Sequence, residues 1–306
     1  MPTPSQRGRI FPIVEIYGHL ANSQSPEALA AQEAEHCPFT NTACEKRKQY
    51  EYGYCSVTYK ASWDSQQHPY AVCDHRLDGQ PVMRAVSDYF ADQSAFIIPE
   101  VTITESPKLS LDYVAYTNDS GAPGGIRAIA IETQAIDLRG GGVGPAFRAW
   151  EAGEPEKWRE YFTREAQEKN RKDTVDYGVN TGNVYKRLGT QVAVKAEFLS
   201  QIAVPLYVIM QQKILQQLRS RIDFTPVEDS SPWDITFIGF DYTGSVSTTG
   251  QLPLSEMDLV RTTFQNYTRA MSSSGNASVM REDFVERVKR KSAVQLQQRN
   301  DDMHLF

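Results

Sequence analysis

The chain carries four cysteines, Cys37, Cys44, Cys55 and Cys73, all within 37 residues of a 306-residue sequence. The stretch that holds them, residues 37–75, has no long apolar periodicity and is rich in polar residues, with Pro38, Asn41 and Gly53 among them. Such a segment buries too little apolar surface to offset the entropy of ordering it. Four thiolates satisfy a tetrahedral site for zinc or iron, and metal binding can order a segment that has no core of its own. No Cys-x-x-Cys pair occurs, so four reduced, unrelated thiols are the alternative reading. His36 and His75 flank the outer cysteines, but four cysteines already complete a ligand shell.

The rest of the chain is richer in apolar residues. Hydrophobic residues make up 40% and aromatic residues 10% of the sequence, which excludes wholesale disorder. The length suits one large domain or two small ones. No apolar run reaches about 18 residues, which excludes a membrane-spanning helix. The opening Met1-Pro2-Thr3-Pro4-Ser5-Gln6-Arg7 has no apolar signal core, so a cytoplasmic location with reduced thiols is expected. A net charge of −6 argues against non-specific coating of nucleic acid, although a net sum is compatible with a local basic groove.

Local patterns predict a mixed α/β fold. A helix is expected from Pro12, because Ile13, Ile16, Tyr17 and Leu20 fall at helical spacing. A second runs from Ser25-Pro26-Glu27 to Glu35, with Ser as N-cap and Pro at the first helical position. A short helix follows over 81–91. Residues 108–117 and 127–134 read as paired strands around a turn-rich stretch, Asn118 to Gly125. Further helices are expected over 155–171, 183–200 and 211–221, strands over 203–210 and 234–241, and a mostly helical C-terminal third. Trp150, Trp158 and Trp233 are assigned to the core, and Lys289-Arg290-Lys291 to a solvated helix face. Helices before and after a small central sheet imply an α/β architecture.

The hairpin holds the residues that point to chemistry. Glu132 and Gln134, two apart on one strand, share a face, and Asp112 on the partner strand can converge with them. Glu132 interrupts the apolar run Ile129-Ala130-Ile131 and Ala135-Ile136. A buried carboxylate is costly unless it is paired or metal-bound. Two carboxylates and the Thr133 carbonyl make a hard oxygen site suited to Mg²⁺, which can activate water and neutralise charge on a phosphodiester. A solvated pair of acids is the plain alternative.

Lys46-Arg47-Lys48, beside Tyr50, Tyr52 and Tyr54, combines basic and aromatic groups suited to phosphate contact, with a solvated charge run as the alternative. Arg127 on the hairpin, Arg139 at the head of the glycine-rich stretch 139–144, and Lys186-Arg187 are further candidates for DNA contact. Surface ion pairs are the competing role for them. Glu15 is either a further acidic contributor near the metal or a surface helix residue.

The order of these parts resembles the NotI-type (NotI/EagI-like) restriction endonucleases of the PD-(D/E)xK superfamily. The resemblance is carried by Glu15-x-x-Gly18-His19, by Ala30-Ala31-Gln32 through His36-Cys37-Pro38-Phe39, and by Val72-Cys73-Asp74-His75-Arg76. It continues through Ile98-Pro99-Glu100-Val101-Thr102, Asp112, Ile131-Glu132-Thr133-Gln134 and Asn183-Val184-Tyr185-Lys186-Arg187, covering residues 10–240. It implies a PD-(D/E)xK core, a small mixed sheet flanked by helices, with an N-terminal four-cysteine metal-binding subdomain. The corresponding parts are N-terminal core helices at 1–36, a cysteine insertion at 37–75 and the endonuclease core with a C-terminal helical region at 76–306.

The resemblance also implies a homodimeric, Mg²⁺-dependent type II restriction endonuclease of a prokaryotic cytoplasm. It would cut both strands of double-stranded DNA at a GC-rich palindrome, with CGGCCG as the core read by the EagI-like relatives. Asp112, Glu132 and Gln134 match the family's active-site triad. Iron rather than zinc is implied for Cys37, Cys44, Cys55 and Cys73. A companion DNA methyltransferase is expected in the cell. Two positions depart from the superfamily pattern: Leu111 stands before Asp112 in place of Pro, and Gln134 replaces the usual Lys. NotI-type enzymes share the Gln, which can orient a water by hydrogen bonds but supplies no charge. The alternative from another class is a non-catalytic, sequence-specific DNA-binding protein using the four-cysteine module.

Overall fold

The computed structural model describes residues 10–91, 93–106, 108–140, 142–171, 175–273 and 281–303. The opening heptapeptide and Gly141 therefore lie outside the described residues. The chain divides into two units, residues 1–271 and 272–306.

In chain order the first unit begins with β1 (Ile13–Ile16), β2 (His19–Leu20), α1 (Pro26–Glu33), β3 (His36–Cys37) and β4 (Thr42–Ala43). Next come α2 (Glu45–Tyr50), β5 (Tyr54–Tyr59), β6 (His68–Ala71), a 3₁₀ turn at Asp74–Leu77 and α3 (Gln80–Phe90). The meander β7 (Phe96–Glu105), β8 (Lys108–Asn118) and β9 (Ile126–Gln134) leads to β10 (Leu138–Gly140), α4 (Gly144–Glu151), α5 (Trp158–Glu168) and β11 (Tyr177–Val179). Then α6 (Thr181–Asn183) widens to π-type over Val184–Gly189 and runs into α7 (Thr190–Gln201). The series β12 (Leu206–Gln211), α8 (Gln212–Arg219), β13 (Ile235–Tyr242), β14 (Leu254–Thr262) and α9 (Phe264–Ser273) follows. The second unit contains α10 (Arg281–Met303), on which Phe284, Val288 and Val294 are exposed.

A six-stranded mixed sheet, ordered β14-β13-β12-β9-β8-β7, organises the larger unit. Strand β12 pairs parallel with both β9 and β13, and the other neighbours are antiparallel. All six residues of β12 are buried, as a parallel strand covered on both faces requires. Leu206, Val208 and Met210 pack on one face with Ala130, Phe237 and with Val192, Ala196 and Leu199 of α7. Tyr207 and Ile209 pack on the other with Ile129, Ile131 and with Val82, Val86 and Phe90 of α3. Parallel pairing needs a crossover, and the helices between β9 and β12 supply it.

The segment expected to be helical from Pro12 is instead a hairpin. Tyr17 (φ 46°) and Gly18 (φ 77°) form its two-residue turn, the conformation that suits the twist of tight hairpins. A β-bulge around Glu15 buries Ile13, Glu15 and Ile16 together, which mimics helical spacing in the sequence. The expected boundary at 36/37 is crossed twice. β3 itself spans it, and β5 and β6 from the cysteine-bearing segment join β1 and β2 in one sheet, ordered β2-β1-β5-β6. The cysteine segment thus shares its order with the residues before it. The C-terminal third holds β14 as well as helices.

Helix α1 starts as expected, with Ser25 accepting a hydrogen bond from the Ala28 N–H at 3.2 Å. Trp158 is buried, and Trp150 and Trp233 pack partly buried against the core.

Candidate active-site cleft

β8 and β9 stay in register up to the pair Tyr113–Ile131. Just beyond it the two carboxylates cross-brace the strands. Asp112 Oδ2 accepts from the Thr133 N–H at 2.9 Å, and Glu132 Oε1 accepts from the Asp112 N–H at 3.3 Å. Glu132 Oε2 pairs with the ammonium of Lys195 on α7. Asp74, directly after Cys73, accepts from the Ala135 N–H at 2.8 Å, and the Ile136 N–H bonds the Ala71 carbonyl at 3.0 Å. The cysteine-bearing segment therefore docks on the chain just past the acidic strand.

These groups line a cleft of about 730 Å³, whose wall includes Asp112, Glu132, Thr133, Gln134, Arg187 and Lys195. A second cleft of about 730 Å³ adjoins it and shares Glu45, Asp74, His75 and Arg187. Tyr50, Tyr52 and Tyr54 line the second cleft as a ladder, with ring centroids 5.6 and 4.6 Å apart and near-parallel planes.

Burial pushes the Glu132 carboxyl up to about 7, reinforced by the charge of Asp112 and opposed by Lys195. Burial also raises Asp112, against the Thr133 N–H bond and Lys195. Two like-charged acids are thus held together in a partly dry cleft with a single ammonium, that of Lys195, paired to one of them, an arrangement that favours a further cation. Two carboxylates and a carbonyl fit Mg²⁺, which keeps several of its own waters. Among the described residues no three of His, Cys, Asp and Glu group as a metal site, so carboxylate donors here number two. Across the cleft, the hydrogen bond to Asp78 holds His75 up to about 9, with Glu45 on the other ring nitrogen.

Gln134 faces the cleft, and its amide N–H donates to the Ala135 carbonyl at 2.7 Å. The basic candidates divide. Arg187 lines both clefts and pairs with Asp137 at 3.4 Å, while Lys186 and Lys48 are exposed. The Lys46 ammonium lies over the Tyr54 ring and bonds the Val72 carbonyl. Arg47 bridges Glu35 and Glu151 at 2.8 and 2.5 Å, which makes it a strut. Arg127, at the far end of β9, bonds Gln93 at 2.7 Å and stacks on Tyr89 and Phe90. Arg139 bonds the Tyr59 hydroxyl at 3.4 Å. Glu15 is fully buried on β1 and neither helical nor in the cleft: Arg76, Ser56 and Tyr242 all donate to it.

All four cysteines are buried and unbridged. Burial raises Cys44 and Cys55 and lifts Cys73 to about 11. Among the described residues they do not group as a metal site. The Gly18 N–H donates to Cys55 Sγ at 3.2 Å, the kind of bond that also stabilises a thiolate.

Lys195, Glu45 and Asp78 are among the cleft residues that pattern reading of the chain does not single out. The signal for Lys195 is a charged residue within the apolar stripe Leu188, Val192, Ala196 and Leu199 of one helical face. No family model matches the chain, and no curated protein matches it.

Proposed function

We propose that this protein is a Mg²⁺-dependent endonuclease of the NotI type, hydrolysing phosphodiesters of double-stranded DNA at a GC-rich palindrome. The observation that carries the reading is the convergence of Asp112 and Glu132, cross-braced at the ends of β8 and β9, in a cleft that α7 closes with a lysine. The six-stranded mixed sheet with its flanking helices supports the α/β part of the reading.

Asp112, Glu132 and the Thr133 carbonyl would hold the metal ion. When bound, that ion polarises water and offsets the charge that builds on the phosphate. The Thr133 N–H keeps the Asp112 carboxylate oriented, and the Asp112 N–H does the same for Glu132. Gln134 presents an amide oxygen that can accept a hydrogen from the attacking water and so aim it. Asp74 fixes the chain at Ala135 and keeps Gln134 at the cleft. The adjoining tyrosine-lined cleft, with Arg187 on the shared wall, offers a continuation for the DNA backbone.

The NotI-type resemblance would place structural iron or zinc at Cys37, Cys44, Cys55 and Cys73, which are buried and unbridged but do not group as a metal site among the described residues. A palindromic cut on both strands calls for a twofold homodimer.

A supercoiled plasmid carrying GC-rich palindromes, incubated with the protein and Mg²⁺, is expected to give discrete fragments that vanish with Asp112→Ala or Glu132→Ala. DNA binding without cleavage, or cleavage that survives both substitutions, contradicts the reading.

A further inference from the structure

Resting on the nuclease reading, we propose that Lys195 is the catalytic cation of this site, its ammonium donating to a non-bridging oxygen of the scissile phosphate. Lys195 stands on α7 with its side chain 11% exposed, against Glu132 at 15%, and it lines the cleft beside Asp112 and Gln134. Among the described residues Glu132 is its one hydrogen-bond partner, which leaves two of three N–H donors for the cleft.

Among the described residues Lys195 is the one cation on the wall bonded to either of the two central acids. The position two residues after Glu132 holds the neutral Gln134, whose amide donor is turned to Ala135. His75 is held between Asp78 and Glu45, and Arg187 pairs with Asp137. The wall is otherwise acidic, with Glu45, Asp74, Asp78 and Glu100 beside the two central carboxylates. An anionic phosphate docking there needs a positive group of the protein itself. The helix brings an ammonium into an apolar stripe, at a desolvation cost that an apolar residue would avoid.

In the hydrolysis a water oxygen bonds to phosphorus and gives up a proton to solvent, the bond to the leaving sugar oxygen breaks, and that oxygen takes a proton from solvent. Lys195 acts by hydrogen bonding alone and offsets charge on the equatorial oxygens as it develops.

The test uses Lys195→Met and Lys195→Arg in the full chain, with three readouts: thermal melting, Mn²⁺ binding by calorimetry, and plasmid cleavage at saturating Mg²⁺. Lys195→Met is expected to bind Mn²⁺ at least as tightly as the wild type, because a competitor for Glu132 is gone. Its kcat is expected to fall by about 100-fold or more with KM little changed. Lys195→Arg is expected to cut faster than Lys195→Met. Cleavage by Lys195→Met within about threefold of wild type overturns the proposal. So does a parallel loss of Mn²⁺ binding and cleavage, which marks a role through Glu132 alone. If Lys195→Met does not fold, Lys195→Gln is read by the same criteria. A wild type that cuts no DNA overturns the nuclease reading itself, and this proposal with it.

Discussion

Glu132 stands in an environment far from what a surface strand gives a carboxylate. Its folded value, about 7, lies above its unfolded one. The stability this group contributes is therefore fully present below about pH 4.5 and is lost as pH rises through about 7. Asp112→Asn removes the charge that pushes Glu132 up while keeping the acceptor for Thr133. The metal-free variant is expected to lose less stability than wild type between pH 5 and 8, by on the order of 1 kcal/mol in urea unfolding. An unchanged difference would mean that the two acids do not interact.

The opposite case is Glu15, an acid fully buried yet satisfied by three donors. Removing Arg76 as Arg76→Met strands that charge and is expected to cost about 3–5 kcal/mol in the same measurement. Strand period alone puts Glu132 and Gln134 on one face; bringing Asp112 to them takes the cross-strand register that sets Tyr113 opposite Ile131. Sequence pattern placed Glu15 wrongly because burial of a charge depends on a partner 61 residues away.

Among the elements, the β1–β2 hairpin carries the cysteine region. Gly18 adopts φ 77°, and a Cβ there would lie 2.3 Å from Pro38 Cγ. Its N–H also bonds Cys55. Gly18→Ala is expected to destabilise the protein by about 2 kcal/mol through left-handed strain alone, more where Pro38 cannot yield. Thermal melting checks the direction.

The bulge that buries Ile13, Glu15 and Ile16 together explains why this hairpin looked helical. Elements with intact periodicity were legible: the capped α1, the β8–β9 hairpin, β12 and β13. β7 was not, since all its residues are exposed or half-buried and Pro99 interrupts it, leaving no clean alternation. β10 and β11, three residues each, are too short to carry a period and exist by pairing with each other.

At the scale of the whole molecule, three separate parts of the chain meet at one cleft: the tail of the cysteine segment, the β8–β9 hairpin and α7. That convergence is a property of the crossover between β9 and β12, which no local pattern encodes. It also explains why Lys195, 63 residues beyond Glu132, escaped notice.

If the thiols hold a structural metal, the purified protein is expected to carry one iron or zinc per chain. Cys55→Ala is expected to lose it and to melt lower; full retention of metal would refute the four-cysteine site. The most direct measurement for the catalytic claim is an anomalous difference map from crystals soaked in Mn²⁺. A peak bridging a carboxylate oxygen of Asp112 and one of Glu132, at about 2.1 Å from each, is the expected result. No peak there at saturating Mn²⁺, or carboxylates turned away from a shared ion, would contradict it.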